Sequence, residues 1–434
     1  MTAESTTREI NVDYLARVEG EGAMYLNLDG DEIVDLQFSI FEPPRFYEAF
    51  LRGRKHSEAP DITSRICGIC PIAYQMSSIN AMEFAAGAQV HPQIRALRRM
   101  LYAGEWIESH TLHVYMLHAP DFLGYESAIE IAQDLPDVVT NALRLKKLGN
   151  SVMTLIGGRE IHPINMRVGG FYRTPTRKEL DTLVEELEWA LEMSEETVRL
   201  VAGFDFPDFE MPFEYVALRH PDEYAITDGR IVSTEGLDID VAEWRDHFEE
   251  IHVERANALH CRLKDRGTYH VGPMARFTLN HDKLTPRARA IADEVGLEKG
   301  ERNPFKSIIV RSVELVLACE EILRLISEYE RPPEPWIAVE PASAVGHGAS
   351  EAPRGTLYHR YEIDGEGLIA DAQIVPPTSQ NQRSIEADLN EFVAPRTQMD
   401  DETLKWQLEQ AIRNYDPCIS CATHFLDLTI ERAD

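Results

Sequence analysis

The chain has 434 residues and a formal net charge of −31, from 43 Lys and Arg against 74 Asp and Glu. That length admits roughly two to three domains or one large interlocked unit, and the charge leaves no basic face with which to displace counterions from nucleic acid. So much acid reads as a solvated surface, and the absence of any run of about 18 apolar residues excludes a membrane-spanning helix.

Taken in chain order, residues 8–40 hold three short segments with partial alternation, separated between the last two by Asp29-Gly30-Asp31, and predict strands. A loop-rich stretch follows at 55–75. Residues 76–119 predict helices: Leu97, Met100, Leu101, Gly104, Thr111, Leu112 and Tyr115 share one stripe, and Trp106, His110, His113 and Leu117 a second, so this helix is expected to be buried on two sides. Further helices are predicted at 137–155, 177–202, 284–296, 303–329 and 401–414. Asn303 and Pro304 start the fourth of these as cap and first turn, and Cys319 on its apolar face reads as a packed core thiol. "RPPEPW" and "VGHGASEAPRG" read as irregular, and "TLYHRYEID" with "LIADAQIVPP" as a hairpin around Asp364-Gly365. The expected class is α+β and helix-dominated, with long central helices and small sheets formed from the N- and C-terminal regions. No linker divides the chain, so residues 1–434 are expected to form one body. The N-terminus "MTAESTTREINVDY" has no apolar signal core, which makes the cytoplasm the expected location.

Six cysteines are too few for a disulfide scaffold. Four of them form two C-x2-C pairs near opposite ends, Cys67/Cys70 and Cys418/Cys421, and such pairs read as metal ligands before disulfides. Four thiolates suit zinc or iron. The plainest alternative is a structural zinc knot, which makes no demand on the residues around the cysteines.

Those surroundings carry more. "RICGICPIAYQ" at 65–75 and "DPCISCATH" at 416–424 resemble the large subunit of the nickel–iron hydrogenases, in which one C-x2-C lies near the N-terminus and the second sits inside D-P-C-x-x-C-x-x-H. "RVEGEG" at 17–22, "PRFYEAFLRGR" at 44–54, "EWIESHTLHVYMLHAPD" at 105–121, "GGREIHP" at 157–163, "EAPRG" at 351–355 and "VPPT" at 375–378 resemble further family segments, in family order. Residues 172–340 contribute little to the resemblance.

The resemblance implies a catalytic subunit that splits hydrogen reversibly into protons and electrons. Dihydrogen has no charge and a high pKa, so a soft, electron-rich metal centre must bind it while a base takes the proton, and thiolates are the ligands for such a centre. It implies nickel held by Cys67, Cys70, Cys418 and Cys421, with Cys70 and Cys421 bridging to an iron that carries carbon monoxide and two cyanides. Cys418 and Cys67 would be terminal thiolates, and Glu19 would relay the proton. Arg354 would lie over the metals, held by Asp121 and Asp416, with Pro353, Pro376 and Thr378 lining the diatomic ligands. Glu48, a carbonyl near Gln373, and His424 resemble the ligands of a magnesium-type site near the C-terminus. His110 and His113 are assigned no metal. Singly, each of these residues has a plainer reading: Glu19 as a turn acid, Asp121 as a helix cap, Asp416 as the start of a turn before Pro417.

Two departures stand out. Tyr74 occupies a position where many relatives have His, and Pro377 one where many have Ser or Thr, leaving Thr378 as the nearby hydroxyl. The tail 425–434 resembles the extension that a maturation protease removes. The compact length and wording resemble the cytoplasmic, bidirectional, cofactor-coupled branch, in which electrons pass through an iron–sulfur small subunit to a flavin module and then to a carrier, NADP being favoured over NAD or a deazaflavin. With no G-x-G-x-x-G after a strand and no spare cysteine pair, the chain must act with such partners. Alternatives are a hydrogenase-fold electron-transfer scaffold, which would lack the four cysteines, and a hydrogen sensor of low turnover.

Overall fold

A computed structural model describes residues 7–340 and 343–423. At the N-terminus β1 (Thr7–Val12), β2 (Gly22–Asp29) and β3 (Glu32–Ile40) form an antiparallel meander in the order β1-β2-β3. Its alternation is expressed as expected: Met24 faces Phe38 and Leu26 faces Leu36 across the β2–β3 ladder, all four buried.

The long helices follow. They are α1 (Pro71–Ala86), α2 (Pro92–Thr111), α3 (Pro136–Gly157), α4 (Val184–Ala202) and, after an interval, α5 (Ser307–Glu328). α2 is buried along nearly its whole inner length, from Leu97 to Thr111, so both predicted stripes are core up to Thr111, while Leu112 and Leu117 beyond it are half-buried. It then widens into a π-helical turn over Leu112–His118, a departure from the regular helix expected there. α2 and α3 cross closely because Gly149 has no side chain: a Cβ there would stand 2.6 Å from the Gly104 carbonyl oxygen. Cys319 on α5 is a buried core thiol and Cys261 is buried likewise.

Between α4 and α5 lie strands that the sequence pattern did not announce. β4 (Val216–Arg219), β5 (Arg230–Ser233) and β6 (Asp238–Ile239) form one small sheet, and β7 (Phe248–Ile251) pairs with β8 (His260–Leu263). Each has four residues or fewer, too short to show a period. A second correction concerns "VGHGASEA". It is a strand, β9 (Ala344–Ala352), paired antiparallel to β10 (Gly355–Ile363), which pairs in turn with β11 (Ile369–Val375) as the predicted hairpin. Its glycines read as irregularity but serve contact: a Cβ at Gly348 would stand 2.3 Å from the Ser77 carbonyl oxygen of α1.

Helix α6 (Pro377–Val393) was also not foreseen. Its first turns bury polar side chains (Thr378, Ser379, Gln380, Asn381 and Gln382), so no apolar stripe marks its start. Together with α7 (Asp401–Arg413) it covers the N-terminal sheet: Leu26, Phe38 and Ile40 share a core with Ile385, Leu389, Leu404, Leu408 and Ile419. This packing brings the N-terminal sheet and the segment of the second cysteine pair together. The observed class is α+β, helix-dominated, with small antiparallel sheets. Among the described residues no helix is long and apolar enough to cross a membrane.

Candidate metal centre

The two cysteine pairs converge. Every pair of Sγ atoms among Cys67, Cys70, Cys418 and Cys421 lies within 4.8 Å, and all four residues are buried. Cys67 and Cys418 are 3.5 Å apart, Cys70 and Cys421 3.7 Å, and Cys418 and Cys421 2.8 Å.

Local structure explains the convergence. A 3-10 turn, Ser64–Ile66, ends in extended Cys67, and Cys70 caps α1 with Pro71 in the first turn, where a missing N–H costs nothing. The open N–H groups of that turn are met by a side chain from α2: Glu105 accepts from Ile72 at 2.6 Å and Ala73 at 3.2 Å. The second pair frames a short helix, Ile419–Ala422, capped by Cys418. Its Ile419 N–H donates to the Glu19 carbonyl at 2.9 Å, where Glu19 and Cys418 bridge in parallel. One guanidinium ties the cysteine segments to each other, because Arg45 donates to the carbonyls of both Ile66 and Ser420.

The acid–base groups are equally specific. Glu19 Oε2 lies 3.1 Å from Cys418 Sγ and accepts from the Ser420 N–H at 3.1 Å. Burial, and then the nearby Cys67 charge, push the Glu19 carboxyl above the usual carboxylate range. Burial also raises Cys418 and Cys421 above the ordinary thiol range. In contrast, hydrogen bonds from its three sulfur neighbours hold Cys67 well below it. Four buried thiolates can be ionised together only around a multiply charged cation. The donor set is therefore that of a soft transition metal.

Arg354 sits in the two-residue turn between β9 and β10, and is 2% exposed. Its Nε donates to the Asp416 carbonyl at 2.8 Å and one terminal nitrogen donates to the Asp416 carboxylate at 3.0 Å. Asp416 adopts a left-handed φ of 49°, which turns its carboxylate and carbonyl toward the same guanidinium. Asp121 does not join this pair. Its carboxylate accepts from Arg17 and, at 2.8 Å, from Arg413, so the expectation that it holds Arg354 is corrected. The reason is long-range packing: α7 delivers Arg413 to Asp121 before the chain reaches Asp416.

Pro353 offers its carbonyl to the buried Arg276 at 2.9 Å. Pro376 caps α6, and the Thr378 hydroxyl oxygen accepts from the Cys418 N–H at 2.9 Å, which leaves its own proton free to donate. His110 lies 2.9 Å from Glu314 and His113 bonds the Arg413 carbonyl at 2.7 Å, the packing roles expected of them. Glu48 accepts from the Ile374 N–H at 2.7 Å, beside Gln373, whose side-chain amide donates to Glu250 at 2.7 Å. His424 lies outside the described residues.

Sequence reasoning passed over several supporting residues. Glu105 and Arg45 were read only as parts of motifs. The buried Arg276 pairs with Glu314 at 2.8 Å and Glu351 at 3.2 Å, holding β9 against α5 beneath Arg354. Buried ion pairs carry no sequence period, so only the fold reveals them.

The family described as nickel-dependent hydrogenase matches residues 45–141 and 265–424. The alpha subunit of sulfhydrogenase 1 from Pyrococcus furiosus is 34% identical over 424 residues, covering 96% of this chain and 98% of the relative. The beta subunit of the NAD-reducing hydrogenase HoxS from Cupriavidus necator is 26% identical over 470 residues, covering 97% and 95%. Among solved structures, an NAD+-reducing NiFe hydrogenase in the H2-reduced state superposes with a TM-score of 0.86 at 26% identity, covering 97% of this chain and 100% of that one. The chain therefore belongs to the nickel-dependent hydrogenase family, as a large subunit and an oxidoreductase of hydrogen.

Proposed function

We propose that this chain is the hydrogen-splitting subunit of a cytoplasmic, NADP-linked hydrogenase complex. The observation that carries the reading is the cluster of four buried Sγ atoms with the Glu19 carboxyl 3.1 Å from one of them. Cys67, Cys70, Cys418 and Cys421 would hold nickel and an iron bearing one carbon monoxide and two cyanides. The metal pair supplies the soft, electron-rich centre that dihydrogen requires. The chain's own residues do the rest. Cys418 takes the proton on sulfur and passes it to Glu19, which lies in hydrogen-bond reach. Arg354 supplies a fixed cation that would suit anionic ligands such as cyanide, and Asp416 fixes its plane at two points. The Thr378 hydroxyl and the Pro353 and Pro376 segments would line the diatomic ligands.

Glu48, the Gln373 carbonyl and His424 would hold magnesium or a similar divalent cation. Burial and the facing Glu250 push the Glu48 carboxyl well up, an environment that a cation would relieve. Residues 1–434 would act as one large-subunit unit, matured by a protease that removes 425–434. Electrons would leave through an iron–sulfur small subunit to flavin- and NAD(P)-binding subunits of the diaphorase type, since Cys261 and Cys319 are single core thiols. The relatives named above as NAD-reducing support a nicotinamide acceptor. The test is hydrogen-dependent reduction of each carrier by the complex purified with its partners. The expected result is NADP+ reduction with a higher kcat/KM than for NAD+. A nickel-loaded complex that reduces only a deazaflavin, or no carrier, would contradict it.

A further inference from the structure

Arg311 stands on α5 and is 1% exposed. Its hydrogen bonds run to neutral groups only. One terminal nitrogen donates to the Asn414 carbonyl at 3.0 Å and to the Ser307 hydroxyl oxygen at 2.9 Å, and Ser307 donates to the same carbonyl at 2.7 Å. Its Nε has no partner among the described residues, and the guanidinium forms no ion pair there. Glu314, one turn further along α5, is held by Arg276 at 2.8 Å, and Asp416, two residues beyond Asn414, is held by Arg354 at 3.0 Å. Burial lowers the Arg311 guanidinium to about 10, so it keeps its charge at neutral pH. A buried charge without a counter-charge is costly, and a chain with 74 acidic residues leaves this one without a carboxylate of its own.

The anion it lacks belongs to the neighbouring site. Arg311 and Arg354 grip one segment, at the carbonyls of Asn414 and Asp416, and that segment runs directly on to Cys418. With both metals divalent, four thiolates and two cyanides leave the centre with about two negative charges. We propose that Arg311 is a second fixed cation for the metal centre, placed behind the Asn414–Asp416 segment to balance that negative charge; this rests on the metal centre proposed above. Buried charges are weakly screened, so the attraction acts without direct contact. The plainer alternative is a neutral brace, in which Arg311 only ties α5 to the Asn414 carbonyl.

The test compares Arg311→Lys, which keeps the charge, Arg311→Gln, which keeps a donor for the Asn414 carbonyl, and Arg311→Met, which keeps neither. The first readout is the infrared bands of metal-bound carbon monoxide and cyanide in the matured complex, with nickel and iron measured on the same samples. Gln and Met at position 311 are both expected to move the bands to lower wavenumber, because losing the cation leaves more electron density on iron, while Lys should leave them close to their original positions. The second readout is thermal unfolding of the full chain before metals are inserted. There Arg311→Met is expected to leave the midpoint unchanged or raise it, since an apolar side chain replaces an unpaired buried charge, whereas in the metal-loaded complex it should lower the midpoint. This second readout decides where the variants fail to mature. Bands that stay in place with Gln, or that move as far with Lys as with Met, would overturn the charge role and leave the centre standing. So would a metal-free chain that Arg311→Met destabilises or prevents from folding, which is the behaviour of a brace. No bands in the unaltered, nickel-loaded protein would overturn the centre, and the role of Arg311 with it.

Discussion

Glu19→Gln is expected to leave nickel bound and to slow hydrogen/deuterium exchange by about 10²–10⁴-fold, the usual worth of a positioned acid–base group. Gln keeps the size of the side chain and an oxygen that accepts from the Ser420 N–H, so the parallel bridge between Glu19 and Cys418 survives. What it loses is the ability to carry a proton 3.1 Å from Cys418. The sign of the pH effect follows from the raised pKa of Glu19, which burial dominates. In the unaltered protein the carboxyl keeps its proton to higher pH than an exposed Glu, and exchange should show an ionisation limb above the usual carboxylate range. That limb should vanish in the variant. Exchange followed by mass spectrometry of HD and D2 decides the matter: a wild-type rate with Gln at position 19 removes Glu19 from the proton path.

Arg354→Lys is expected to lower turnover by about 10²–10³-fold with the metals retained, the size of effect seen when one preorganised donor is removed from a charge-stabilising site. Lys keeps the charge, so Asp416 is not left as a lone buried carboxylate, a change that would cost about 3–5 kcal/mol in its own right. It cannot keep the fork. Arg354 reaches the Asp416 carbonyl and carboxylate from two different nitrogens at once, which fixes the plane of the guanidinium, and an ammonium on a flexible stem cannot reproduce that arrangement. Unchanged kcat with full nickel occupancy would show that Arg354 holds Asp416 and does nothing for the reaction.

The parts of this site that were legible in the sequence share one property: they are short, local and chemically unusual. Two C-x2-C pairs, a Glu in "RVEGEG" and an Arg in "EAPRG" keep their spacing wherever the chain goes. What escaped was pairing set by distant packing. Asp121 was matched to Arg354 because both belong to family segments, yet α7 places Arg413 against it. Glu105 looked like one more acid on a helix, and only the fold shows it closing the N-terminus of α1 beneath Cys70. The fold shows the same division. The β2–β3 alternation and the long helices were readable from period. Strand β9 was hidden by the glycines that let it lie on α1, and α6 by the polar run it buries.

The most direct test of the account is an infrared spectrum of the matured protein in the region where metal-bound carbon monoxide and cyanide absorb, with nickel and iron measured on the same sample. One carbonyl band and two cyanide bands, with nickel and iron in equal amounts, are predicted for a centre held by Cys67, Cys70, Cys418 and Cys421. A silent spectrum from protein carrying only zinc on those four thiolates would contradict it.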